Sequence, residues 1–386
     1  MTTELVKESR NRFHKEPQRV FFCPGRVNLI GEHIDYNGGK VMPCAISLGT
    51  WLAVSKNTDK KLRFQCLNFP ETAELHLQTS YSKTGDEWFN YPLGIISHFT
   101  ESDMNVSGMN MLFAGNLPVG AGLSSSASIE VLMAYAINEM FALNLSKKDI
   151  ALLSKKVENE FIGVNCGIMD QFAVSLGKKD KAILLNCDTL EYQYLPLELN
   201  DYVLVILNTN KPRKLVESKY NERFAECGKA LKALKKELEV QHLCNVGLHD
   251  FSTHRHLIND AVLEKRALHV ISENFRVGEA VDALKAGELF TFGKLMYDSH
   301  QSLKEFYEVT GKELDTIVEF CKTFDGCIGA RMTGAGFGGC AIALVKKATF
   351  EVFSEKISTY YEKQIGYKPG VFASEAGDGV REIIRP

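Results

Sequence analysis

P-V-G-A-G-L-S-S-S-A-S, residues 118–128, separates a strand-like run at Met109–Ala114 from a helical pattern at Ser128–Leu143. A glycine and serine loop in that place offers bare backbone N–H groups at the positive end of a helix, the physical recipe for holding phosphate. It is not a Walker A loop, because Leu123 follows the last glycine where a lysine is needed. Nor is it a dinucleotide loop, because Ser125 fills the third glycine position. Taken alone, such a segment is more often only a turn and a helix cap. A second cluster, T-G-A-G-F-G-G at Thr333–Gly339, follows the strand-like Cys327–Arg331. Its plain reading is a tight connection between strands. Two loops with the spacing G-x-G in one chain point instead to a shared phosphate cradle.

Working outward, strand-like runs at Arg19–Cys23, Thr50–Ser55 and Leu62–Gln65 precede the first loop. After it come helical patterns at Ser128–Leu143 and Lys147–Phe161, the second capped by Ser146. Strands are expected again at Ala182–Cys187 and Tyr202–Leu207, followed by an amphipathic helix bearing Val216, Tyr220, Phe224, Cys227, Leu231 and Leu234. Helical patterns fill Asp260–Thr323, and late strands are expected at Gly339–Val345 and Val371–Ser374. Strands and helices mix without a strict βαβα rhythm, so an α+β protein of two domains is expected, 1–200 and 201–386.

Composition narrows the function without naming it. The 386 residues suffice for two cores, and 45% apolar with 24% charged residues is ordinary for a globular protein. A net charge of −3 gives no basic field, and the lysines of Lys229–Lys236 interleave with leucines as a solvated helix face, so no nucleic-acid partner is expected. No apolar run approaches a membrane span. The ten cysteines lack CxxC pairs or zinc-like spacing, which reads as reduced thiols and a cytoplasmic protein.

Residues 25–36 read G-R-V-N-L-I-G-E-H-I-D-Y. This stretch resembles the galactokinase signature at every defined position. Pro118–Ala127 resembles the phosphate loop of the GHMP small-molecule kinase superfamily, and Thr333–Gly339 its third motif. The C-G-I-M-D-Q of Cys166–Gln171, the S-H-x-S-L around His300 and the segment Ala376–Gly379 are similar to further galactokinase segments, so the resemblance runs the length of the chain.

The resemblance implies a two-domain GHMP kinase fold, with a five-stranded mixed sheet in the N-terminal domain, a ferredoxin-like C-terminal domain and the active site between them. It implies Asp170 as catalytic base and Arg26 as the stabiliser of the transition state. Glu32, His33, Ile34, Asp35 and Tyr220 would hold the sugar, and Gly120, Ala121, Gly122, Leu123, Ser124, Ser125 and Ser126 the triphosphate of ATP. Ser126 and Glu158 would ligate Mg2+. D-galactose and ATP are the implied partners of a monomer or weak oligomer.

Read physically, the same residues supply what phosphoryl transfer needs: charge neutralisation, a positioned nucleophile and an acceptor for its proton. Each also has a plainer explanation. Glu158 on a charged helix reads as a surface residue, Asp170 in an apolar run as half of a structural pair with Arg26, and Tyr220 on its helical stripe as a core tyrosine. A related kinase acting on another small molecule and a non-enzymatic galactose sensor also remain open. Such sensors lack the Ser-Ala pair that stands here at Ser126–Ala127.

Overall fold

The computed structural model describes residues 1–102, 104, 106–118, 120–164, 166–211 and 216–384, and the side chains of Val216 and Glu217 lie outside them. The strands that carry the site are β1 (Arg19–Asn28), β2 (Lys40–Val41), β3 (Pro43–Lys56), β4 (Lys61–Cys66), β5 (Ala73–His76) and β6 (Met109–Gly115), then β7 (Lys181–Asn186) and β8 (Tyr192–Pro196). The later strands are β9 (Tyr202–Asn208), β10 (Cys327–Thr333), β11 (Cys340–Lys346), β12 (Gly370–Ser374) and β13 (Arg381–Ile384).

The first sheet runs β13-β1-β3-β6-β4-β5, antiparallel throughout except for the parallel pair β4 and β6. It is the mixed sheet that the family resemblance implies, with one addition. Five of its strands come from the N-terminal half, and the sixth, β13, returns from the far end of the chain to pair with β1. Every residue of β1 is buried, because the strand sits inside the sheet with the helices Ser125–Phe141 and Met169–Leu176 packed on it. The second sheet, β10-β11-β9-β12, is antiparallel, with helices between β9 and β10 and between β11 and β12. That order and those crossovers are ferredoxin-like. A short third sheet, β2-β7-β8, pairs β2, which falls between β1 and β3 in the chain, with β7 and β8.

One continuous apolar core joins the two halves. Val27, Leu29 and Met42 from the first belong to the same packed cluster as Leu204, Met332 and Ile342 from the second. Polar contacts reinforce this junction: the Asn28 N–H donates to Thr333 Oγ1 at 2.9 Å, and Arg331 donates to the Asn28 carbonyl at 3.0 Å. The cleft therefore has walls that are fixed to each other through a dry interior.

The helix Lys147–Val157 begins as its sequence dictates, with a reciprocal capping box between Ser146 and Asp149. It stops being α-helical sooner than the periodicity to Phe161 implies. Over Glu158–Ile162 it widens into a π turn that ends at Gly163, where φ is 89°. Widened turns of this kind recur at functional sites. The stripe of the helix Val216–Leu234 is only partly a core stripe, since Cys227 and Leu234 are buried but Phe224 is 53% exposed.

Candidate active site

The first glycine loop meets β1 because of Gly25. The pairing of β1 with β3 slips there, and a Cβ on Gly25 would lie 2.6 Å from the Leu123 carbonyl, so only glycine lets strand and loop touch. The Arg26 N–H donates to that same carbonyl at 3.2 Å, and Arg26 Nη1 donates to the Gly122 carbonyl at 2.7 Å. Nε and Nη2 of the guanidinium then grip Asp170 at 2.9 and 2.8 Å, a bidentate pair. Ser124, which starts the helix Ser125–Phe141 with φ 61°, donates its hydroxyl to Asp170 Oδ2 at 2.7 Å.

Arg26 and Ser124 send three hydrogen bonds to Asp170, one to Oδ1 and two to Oδ2, and Arg26 Nη2 also lies 2.7 Å from Oδ1. The side chain still retains 30% of its surface exposed. It borders a cavity of about 270 Å3, lined also by Arg26, Glu32, His33, Asp35 and Tyr220. A carboxylate oriented in this way and open to the cavity is equipped to take a proton from a hydroxyl there.

Glu158, at the start of the π turn, faces the same cavity and is 6% exposed. Its carboxylate accepts from the Ser126 hydroxyl, from Gln171 Nε2 and from Cys166 Sγ at 3.4 Å. All three donors are neutral, and burial together with the nearby charge of Asp170 pushes the Glu158 carboxyl above its ordinary range. A divalent cation would reverse that penalty. Ser126 also borders a second cavity of about 200 Å3, whose walls include Phe69, Trp88, Asn68, Cys66 and Ser125. The flat aromatic walls suit a stacked heterocycle, and the serines open that cavity toward the glycine loop. Ala121 and Leu123 point inward and are 1% and 2% exposed, so they offer the loop their backbone alone.

On the opposite side of the first cavity, Asp35 is pushed up to about 7 by burial and by the carboxylates of Asp170 and Glu32. Its carboxylate rests against Gly167, where an added Cβ would lie 2.0 Å from Oδ2. Tyr220 lines the cavity and packs its ring near His33, so it is not the core tyrosine its helical stripe suggested. Glu32 is 1% exposed and accepts from Asn28, Arg331 and the Gly334 N–H. Three donors on two oxygens leave it one acceptor position, and they tie the second glycine loop to the first half of the chain. Ile34 is different: its side chain is fully buried against Gly39, and its carbonyl accepts the Asn37 and Gly39 N–H groups. It shapes the turn that carries Asp35 and does not line the cavity.

Sequence reasoning missed several participants. Ser124 appeared there only as a loop residue, yet it orients Asp170. Gln171 holds Glu158, and Gly167 makes room for Asp35. The C-G-I-M-D-Q segment contained both, but nothing in it said which residues they would touch. Trp88 and Phe69 had no local signal at all. The S-H-x-S-L segment proves to be a scaffold: Ser299 donates to Glu273 at 2.6 Å, His300 Nδ1 accepts from the Met332 N–H at 3.2 Å and Ser302 meets His269 at 2.8 Å.

Two glycine loops closing on one cleft between a mixed sheet and a ferredoxin-like domain define a GHMP small-molecule kinase. Models of the GHMP kinases N terminal domain and the GHMP kinases C terminal match residues 90–178 and 280–363. The galactokinase galactose-binding signature matches residues 8–56. The chain is 51% identical over 381 residues to a galactokinase of Clostridium tetani, covering 98% of this chain and 97% of that one. It is 48% identical over 386 residues to a galactokinase of Staphylococcus carnosus, covering 99% and 100%. The crystal structure of Lactococcus lactis galactokinase complexed with galactose superposes with a TM-score of 0.95 at 43% identity, covering 99% of this chain and 100% of that one. This chain belongs to the galactokinase family and is an ATP-dependent sugar kinase.

Proposed function

We propose that this chain transfers the γ-phosphoryl group of ATP to the C1 hydroxyl of D-galactose, giving α-D-galactose 1-phosphate. The observation that carries the reading is Asp170, held by Arg26 and Ser124 and still partly exposed, at the wall of a cavity that abuts the first glycine loop. In this reading the sugar occupies the cavity of Asp35 and Tyr220. The nucleotide base occupies the cavity of Trp88 and Phe69, and the triphosphate lies along Gly120–Ser126.

Asp170 then accepts the proton of the anomeric hydroxyl as the O–P bond forms. That hydroxyl is more acidic than an ordinary alcohol, which suits a carboxylate acceptor in a loose transition state. Arg26, bonded to both Asp170 and the glycine loop, keeps the base oriented and puts a fixed positive charge where the phosphoryl oxygens gain charge.

Ser126 and Glu158 are the residues that would hold Mg2+. Their hard oxygens, and a buried carboxylate surrounded by neutral donors, fit that ion, which binds through one or two protein oxygens while keeping phosphate and water ligands. When bound it would supply charge neutralisation to the nucleotide phosphates.

Asp35 and Tyr220 are assigned to the C3 and C4 hydroxyls. A site that hydrogen-bonds a hydroxyl in one orientation rejects the epimer, because its own buried polar groups are then unpaired. The proposal includes a cytoplasmic location, which suits ten cysteines that are all free thiols, and a monomer or weak oligomer. Among the described residues no helix is long and apolar enough to cross a membrane.

The test is a panel of galactose, glucose, N-acetylgalactosamine and arabinose, with mevalonate and homoserine as non-sugars, incubated with MgATP in a coupled ADP assay. Phosphorus NMR of the product identifies the phosphorylated position. Galactose should lead the panel and give a 1-phosphate. A preference for another acceptor by tenfold or more, or a phosphate elsewhere on the ring, would reject the proposal.

A further inference from the structure

Four polar groups, three of them buried and Tyr36 half-buried, lie in line behind the wall of the first cavity. Cys227 Sγ is 3.0 Å from Tyr307 Oη, which is 2.8 Å from Tyr36 Oη, which is 2.9 Å from His33 Nδ1. At its far end His33 Nε2 is 3.1 Å from the carbonyl of Ala335, in the second glycine loop. None of these contacts belongs to the phosphoryl-transfer chemistry described above.

The direction of every bond in the line follows from its last member. A carbonyl oxygen can only accept, so His33 Nε2 carries the hydrogen. Burial, with the neighbouring His269, holds the His33 imidazole down to about 3, so the ring is neutral and Nδ1 is a bare acceptor. Tyr36 must therefore donate to Nδ1. Its oxygen is left to accept from Tyr307, and Tyr307, having given its hydrogen to Tyr36, accepts from the Cys227 thiol. Burial pushes that thiol up to about 11, which keeps its hydrogen in place.

Packing makes the line rigid. Tyr307 is fully buried, its ring between those of His33 at 4.9 Å and His269 at 4.5 Å. His269 repeats the pattern: its Nε2 faces the Glu32 carbonyl at 3.2 Å and must donate, while its Nδ1 accepts from Ser302 at 2.8 Å. The turn that carries Glu32, His33 and Asp35 is thus fastened from behind, with His33 itself at φ 62°. Were His33 to take the other tautomer, two lone pairs would meet at Ala335 and the loop would lose its tether.

We infer that Tyr36 and Tyr307 form with Cys227 a hydrogen-bond relay, its polarity fixed by the Ala335 carbonyl, that satisfies His33 Nδ1 and so holds the His33 ring, and with it the Gly334–Ala335 wall, against the substrate. Both tyrosines are positioning residues for the substrate, a role that rests on the proposed function. They reach the sugar only through His33. Removing the Tyr36 hydroxyl leaves the Nε2–H tautomer in place, because the Ala335 carbonyl still demands it, but strands a buried acceptor at Nδ1 and loosens the ring. Removing the Tyr307 hydroxyl leaves the donation from Tyr36 intact and should matter less.

The experiment combines nitrogen NMR of the protein labelled at its histidine side chains with steady-state kinetics of Tyr36→Phe, Tyr307→Phe and His33→Gln. The His33 signal, assigned by its loss in His33→Gln, should show the Nε2–H tautomer at neutral pH. Tyr36→Phe should keep the Nε2–H tautomer, shift the Nδ1 resonance to that of an acceptor without a donor and raise the galactose KM by about 5- to 20-fold, the loss of one hydrogen bond to a buried acceptor, with kcat and the ATP KM within about twofold. Tyr307→Phe should give a smaller rise in the galactose KM. A wild-type His33 that is charged or carries its hydrogen on Nδ1 would overturn the relay, and so would an unchanged Nδ1 resonance and KM in Tyr36→Phe. Lack of galactose turnover by the wild type would refute the proposed substrate, whereas the wild-type spectrum reads the relay independently of it.

Discussion

Gly167→Ala tests the sugar side of the site without touching any group that does chemistry. The new Cβ would lie 2.0 Å from Asp35 Oδ2 and 2.9 Å from its Cγ, where ordinary contact begins at 3.4 Å. The carboxylate must therefore retreat by about 1.4 Å, a displacement of the size that can cost on the order of 10²-fold when a positioning group is moved. Gly167 has an ordinary backbone φ, since it is absent from the residues with positive values, so alanine adds no conformational strain of its own. If Asp35 holds two sugar hydroxyls, weakening or losing those bonds should cost roughly 1–3 kcal/mol, about 5- to 150-fold in kcat/KM for galactose. The loss should fall mainly on KM, because Asp170 and Arg26 are untouched, and the ATP KM should stay within about twofold. A coupled ADP assay over galactose and ATP concentrations, with a thermal melt to confirm folding, measures all of this. A variant with galactose kcat/KM within twofold of wild type would show that Asp35 does not bind the sugar.

Three further outcomes are expected. Asp170→Asn should reduce kcat by on the order of 10² or more while calorimetric binding of sugar and nucleotide changes only a few fold, and near-normal turnover would leave Asp170 a purely structural partner of Arg26. Ser126→Ala and Glu158→Ala should each raise the magnesium concentration for half-maximal rate without altering nucleotide-free galactose affinity, and unaltered titrations in both would dismiss them as ligands. Asp35 keeps its proton up to about 7 in the folded chain, whereas an unfolded aspartate loses it near 3.9. The folded state then binds more protons between those values, so this group's contribution to stability is present at low pH and is lost as pH rises from about 4 to about 7. Melting temperatures of wild type and Asp35→Asn across that range should diverge in favour of the variant as pH rises, and parallel curves would remove Asp35 as the source.

Local chemistry made some parts of the fold legible in the sequence and left others hidden. The Ser146 cap, the strands around Met109–Ala114 and Tyr202–Leu207 and the exposed lysine face each rest on residues within a turn or two of one another. The π turn at Glu158 was hidden because periodicity carries on to Phe161 unaltered, and only tertiary contacts with Gln171 and Ser126 select the wider turn. Strand β13 was hidden for the same kind of reason, since four residues at the chain end carry no pattern until β1 is beside them. In the site, motif positions marked Arg26 and Asp170, but their bidentate geometry, and the third donor Ser124, come from segments 144 and 46 residues away. The apolar walls of the second cavity were invisible, because Trp88 and Phe69 look like any surface-loop aromatics until β6 and the first loop fold around them.

The return of β13 sets the order in which the molecule can be completed. Arg19 is braced against Glu382, 363 residues away, with two bonds of 2.6 Å, and Val20 pairs with Ile384. Until Arg381–Ile384 leave the ribosome, β1 has a neighbour on one side only, although the rest of its sheet was synthesised long before. An N-terminal half that has otherwise collapsed must keep an open, strongly apolar edge waiting for its partner, and such edges invite pairing with other chains. Losing Arg381–Ile384 would make that vulnerable interval permanent.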